Sequence, residues 1–200
     1  TDLVAEQDTT LVSDTTWQSG QRDPLAQSIF MNRQHGAFLT KVDVFFSAKD
    51  ATLPVTLDLR TMVNGYPTQT VIPFSTVVKE PADVNVSATA ETATTFTFSS
   101  PVYIQDQQEF CIVLVANTKE YKVWISRMGE IDVGGVRSIS EQADLGSLFK
   151  SQNASTWSPS QYEDLKFTAY RALFDTTTTG QVAFTNEELT ASSGHIDTLV

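Results

Sequence analysis

The chain is poor in the residues that build most recognisable chemical sites. It has a single cysteine, Cys111, so no intrachain disulfide can form, and its stability must come from packing. Cys111 sits in the apolar run "EFCIVLVA", where a thiol is ordinarily a small core residue; a nucleophilic thiolate needs an electropositive, partly open setting. Only two histidines occur, His35 and His195, and they are far apart in the chain. With no Cys/His ligand spacing and no HExxH, neither a metal nor another cofactor is expected. No GxSxG, no SxxK and no glycine-rich phosphate loop occur, so no catalytic residue is assigned. No apolar run approaches the roughly 20 residues that cross a bilayer, so no membrane span is expected. Basic residues are scarce as well: 13 Lys and Arg face 24 Asp and Glu, for a net charge of −11. The basic residues are scattered singly, without the clusters that bind phosphates by counterion release, so nucleic acid is not an expected partner. The chain begins at Thr1 and carries no signal-peptide pattern, which reads as a processed or excerpted piece of something longer.

What is present is an aromatic-rich apolar complement with a period of two. Forty per cent of the 200 residues are hydrophobic and ten per cent aromatic, with 12 Phe and 5 Tyr, enough for a substantial core. "PVTLDLRT" alternates Val55, Leu57 and Leu59 with polar residues, and "FTFSSPVYI", "YKVWIS", "TKVDVFFS" and "DLKFTAYRALF" repeat the signal. "EFCIVLVA" is apolar at every other position and in between, as expected of a central strand covered on both faces. Asn64-Gly65 in "MVNGYP" is a hairpin turn signal, because both residues tolerate positive φ. Pro54, Pro67, Pro73, Pro81, Pro101 and Pro159 are expected at strand ends. Helical signals are weak: one short turn in "DPLAQSIFMN" and one in "SEQADLGSLF" capped by Ser140. Seven to nine strands with frequent turns predict an all-β chain, an antiparallel β-sandwich or jelly roll with extended terminal arms. The expected organisation is an N-terminal arm or linker over residues 1–22, a sandwich over 23–174, and a C-terminal arm or the start of a further segment over 175–200. In that last stretch "QVAFT" reads as one more strand, pairing outside the main sheets.

The segment "LGSLFKSQNASTWSPSQYEDLKF" places Trp157 and Tyr162 among amides and hydroxyls. Three readings compete. Trp157 and Tyr162 could stack on a sugar while Gln152 and Asn153 bond its hydroxyls. The stretch could be a fragment of a hydrolase site, which needs two carboxyls facing one cleft. The adjacent Glu163 and Asp164, however, would point to opposite faces of a strand, and nothing in the sequence selects such a pair. Or Trp157 could fold back on the sandwich, or anchor a neighbouring protein, while the amides satisfy loop backbone. Trp17, Asn153, Trp157 and Tyr162 are therefore the candidate binding or interface residues. Asn85 and Asn153 each open a glycosylation sequon, read here as chance matches.

Taken in order, "DPLAQSIF", "GAFLTKVDVFFSAKD", "LPVTLDLRTMVNGYPTQTVIPFSTV", "SSPVYI", "YKVWISRMGE" and "GSLFKSQNASTWSPSQYEDLKFTAYRALF" resemble a β-rich domain of large tail and baseplate proteins of contractile-tailed bacteriophages, above all the myophages of cyanobacteria. The resemblance covers residues 23–174 and rests on several motifs. It implies a non-enzymatic virion component, in a baseplate wedge or a tail fibre, assembled in the host cytoplasm. The partners it implies are other tail or baseplate proteins, with a homo-oligomer compatible. The alternative is a receptor-recognising domain at a fibre tip that binds a host surface glycan. The resemblance carries over no catalytic residues.

Overall fold

The computed structural model describes residues 22–133, 135, 137–140, 146–151, 155–175, 177 and 179; the side chains of 22 and 23 are not among them. The described residues form thirteen strands and one 3-10 turn at Pro81–Asp83, with no α-helix among them. The strands are β1 (Arg22–Met31), β2 (Ala37–Ala48), β3 (Val55–Val63), β4 (Tyr66–Val71), β5 (Val77–Lys79), β6 (Ala93–Ile104) and β7 (Gln108–Ala116). They continue with β8 (Lys122–Val123), β9 (Ile125–Arg127), β10 (Leu148–Ser151), β11 (Trp157–Ser160), β12 (Glu163–Leu165) and β13 (Phe167–Arg171). All pairings between these strands are antiparallel.

The pairings are nested. β3 folds back on β4, with β5 beside it, β2 pairs with β6, and β1 pairs with β7. This is a long hairpin rolled up on itself, the winding of a jelly roll, as the sequence predicts. Its tip is Asn64-Gly65, with φ of 53° and 77°, the positive values a tight two-residue hairpin turn needs. Rolling puts β11-β10-β1-β7-β3-β4 in one sheet and β13-β2-β6 in the other. Leu57, Leu59, Phe110 and Ile112 of the first face Val42, Val44, Phe46 and Phe96 of the second across one apolar core.

The continuous apolar run of β7 is explained by a second layer. Its alternate residues Cys111, Val113 and Val115 point away from the main core and are buried with Ala26, Phe149 and Trp157. The sheet curls far enough that Tyr66 of β4 meets Phe149 of β10, ring centroids 6.0 Å apart. A buried ion pair shares this face: Arg60 Nη2 lies 3.0 Å from Asp58 Oδ2, and Thr76 Oγ1 donates to Asp58 Oδ1 at 2.8 Å.

Two local expectations are corrected. "DPLAQSIFMN" is not a helical turn but most of strand β1. Its weak β signal reflects tertiary demands. Ala26 is small because it lies directly opposite Phe149 under the second layer, and Gln27 is polar because it staples β1 to β12. Leu165 N donates to Gln27 Oε1 at 2.7 Å, and Gln27 Nε2 donates to Asp164 Oδ1 at 3.0 Å. The short turn expected in "SEQADLGSLF" falls on residues 141–145, outside the described residues, and only its last two residues, Leu148 and Phe149, belong to strand β10. Of the six prolines expected at strand ends, Pro67, Pro101 and Pro159 stand inside strands β4, β6 and β11. All three strands are sheet edges in the strand order, where a missing N–H does least harm.

Candidate functional site

Of the four residues singled out, two can be placed. Trp157 starts β11 and is 6% exposed, packed with Ala26, Cys111, Val113 and Phe149. Its ring is the lid of the second apolar layer, which removes it both as a sugar platform and as an anchor for another protein. Tyr162, five residues on, is 70% exposed, so the two rings do not form one surface. Trp17 and Asn153 lie outside the described residues, as do Gln152 and His195.

The adjacent carboxylates point apart, as strand geometry requires, and each is absorbed in structure. Glu163 is bound by Arg127 Nη2 at 2.6 Å and Lys150 Nζ at 2.7 Å. Burial alone would raise its pKa, but the bonds from Lys150, Arg127 and Ser160 outweigh this and hold the carboxyl below its ordinary value. A group so held is ionised at neutral pH and cannot serve as a general acid. Asp164 accepts from Gln27 on the other side of the strand. Burial pushes the Cys111 thiol up to about 12, against a smaller lowering by the nearby Arg60 charge, so it is no thiolate nucleophile. No group of three or more His, Cys, Asp or Glu able to hold a metal occurs among the described residues. No helix among them is long and apolar enough to cross a membrane.

The feature that stands out is on the outer face of the second sheet. Phe38 of β2 and Tyr103 of β6 are cross-strand partners with ring centroids 4.9 Å apart, and Phe174 meets Phe38 edge-on at 5.3 Å. Phe38 is 39% exposed, Tyr103 47%, Phe174 61% and Leu173 85%. Further along the same face Lys41 Nζ sits 4.3 Å over the Tyr170 ring, and the Tyr170 hydroxyl donates to Asp43 at 2.9 Å. That bond, then the carboxylate charge, raises the phenol pKa. Tyr103 donates to the backbone carbonyl of His35, fixing its ring outward beside the Arg33–Gly36 turn. At the other end of β2 the aromatics are covered: Trp124 packs on Phe45 and donates to Ser87 O, and Lys166 lies 4.1 Å over Phe45.

Simple alternation misses this patch. Phe38 has the parity of Val42, Val44 and Phe46 and would be read as core. The β2–β6 register shifts between Leu39 and Lys41, and this irregularity turns Leu39 inward and Phe38 outward. The contiguous aromatic surface can offer stacking and apolar burial to a partner.

Comparison with known protein families, with curated proteins and with solved structures finds no match to this chain in any of the three.

Proposed function

We propose that the chain is a structural module of a contractile phage tail, in a baseplate wedge or tail fibre, that works by binding neighbouring virion proteins. The supporting observation is the exposed patch of Phe38, Tyr103, Leu173 and Phe174, lying just past the end of β13. Three of these side chains touch one another as a contiguous aromatic cluster, and contiguous exposed apolar patches mark interaction surfaces. The motif resemblance over residues 23–174 supplies the tail and baseplate context. The internal pairing of Glu163, Asp164 and the Cys111 thiol supports a binding role over an enzymatic one. The glycan-recognition alternative keeps only Tyr162 of its two aromatics.

The test is co-expression of the full chain with the proteins encoded beside its gene, followed by size exclusion and native mass spectrometry. A complex is expected, and it should be lost in the double substitution Phe38→Ser and Phe174→Ser while the far-UV spectrum stays β. A complex unaffected by that double substitution, specific binding on a glycan array, or turnover of an envelope polysaccharide would each overturn the reading.

A further inference from the structure

Among the described residues, β13 is an open edge. It is hydrogen-bonded to β2 on one side, and no strand among the described residues pairs with its other side. Thr168, Ala169, Tyr170 and Arg171 are all exposed, so neither face is covered there. Native edges are protected by proline, shortness or charge. Here β4, β6 and β11 carry Pro67, Pro101 and Pro159, and β5 is three residues long. β13 has no proline, and only Arg171 at its end is charged. The aromatic patch adjoins it through Phe174.

Charge indicates the occupant. All 13 Lys and Arg of the chain lie between residues 22 and 171. Residues 1–21 and 175–200 hold four acids each and no Lys or Arg, which leaves 16 acids against 13 bases in between. The charged groups along the open edge are Lys41 and Arg171, while Asp43 is buried between Thr95 and Tyr170. A two-fold pairing of two β13 edges would offer Lys41 and Arg171 no acid, since β13 itself carries none. An acidic strand suits the edge better.

We propose that β13 accepts, as an added strand, the segment "QVAFTNEELT" (residues 181–190) of a second copy of the chain, head to tail. Backbone hydrogen bonds supply the affinity of strand addition, and alternate side chains supply its specificity. Val182 and Phe184 alternate as a strand requires and match the aromatic patch, and Glu187 and Glu188 match Lys41 and Arg171. The contact joins two different surfaces, so it either propagates into rings or filaments or closes by reciprocal exchange of the segment between two copies. The inference deepens the assembly role proposed above and names one partner for it.

The test uses the full chain in sedimentation velocity across a wide concentration range, with a donor variant, Phe184→Asp, and an acceptor variant, Ala169→Glu. Wild type is expected to self-associate with concentration and to do so less as salt rises. Each variant alone should be monomeric. An equimolar mixture should form a heterodimer, because the donor variant keeps an intact edge and the acceptor variant an intact strand. Should Ala169→Glu perturb the far-UV spectrum, Arg171→Glu replaces it. A monomeric wild type, association that survives Phe184→Asp, or a mixture that stays monomeric would each overturn the inference. A chain that fails here but still binds the tail proteins encoded beside it would leave the assembly role standing; failure of both would end both.

Discussion

Replacing Trp157 by alanine removes the lid from the second apolar layer. A buried aromatic of this kind hides about 200 Å² of surface, which at ~25 cal/mol per Å² sets a ceiling of about 5 kcal/mol. The indole Nε1 has no hydrogen-bond partner among the described residues, so the ring already carries a desolvation cost of roughly 1–3 kcal/mol. The expected loss is therefore about 3 kcal/mol, the low end of the range for large-to-small core substitutions. That is a large share of the about 5–15 kcal/mol by which domains are stable, and it should lower Tm by about 6–12 °C. Trp157→Phe keeps most of the packing and discards the unpaired N–H, so it should cost about 1 kcal/mol or less. Tyr162→Ala, at an exposed position, should stay within about 0.5 kcal/mol. Urea unfolding followed by far-UV circular dichroism measures all three. A Trp157→Ala loss below about 1 kcal/mol, or a loss equal to that of Tyr162→Ala, would show that the second layer is not a packed core.

Other consequences follow from the same contacts. Cys111, buried and with its pKa pushed up to about 12, should not react with a thiol reagent in the native protein at mildly alkaline pH, and should react fully in denaturant; fast native labelling would contradict its burial. Glu163 has its folded pKa held below the ordinary value of 4.5, so its contribution to stability is complete above that pH and is lost as the pH falls through the folded pKa. Glu163→Gln should cost about 1–3 kcal/mol at neutral pH and flatten that acid limb, and an unchanged limb would refute the ion pairs with Arg127 and Lys150. At Gly146 an added Cβ would lie 2.2 Å from the Ser28 carbonyl oxygen, so Gly146→Ala should cost about 2 kcal/mol or more, and a neutral substitution would mean that β1 and the start of β10 are not so close.

The strands that the sequence marks well are those whose side chains answer only to the two faces of a sheet. β3 alternates because its inner residues Leu57 and Leu59 face the core, and β7 is continuously apolar because both its faces are covered. The turn at Asn64-Gly65 is legible because positive φ is demanded of two consecutive residues. β1 is less legible, since Ala26 and Gln27 are chosen by Phe149 and by Asp164 and Leu165, which lie more than a hundred residues away. The same distance hid the fate of Trp157: its neighbours in sequence are polar, and its neighbours in space are Ala26, Cys111, Val113 and Phe149. The aromatic patch escaped because one irregularity in β2 reverses the side on which Phe38 emerges, and no local pattern announces that shift.

Hydroxyl-radical footprinting of the chain, free and within an assembled particle, tests the central claim most directly. Phe38, Tyr103, Tyr170 and Phe174 should be readily oxidised in the free chain and protected on assembly, while buried Trp157 is protected in both. Equal oxidation of the four exposed aromatics in the free and assembled states would contradict the claim that this surface exists to be held by a partner.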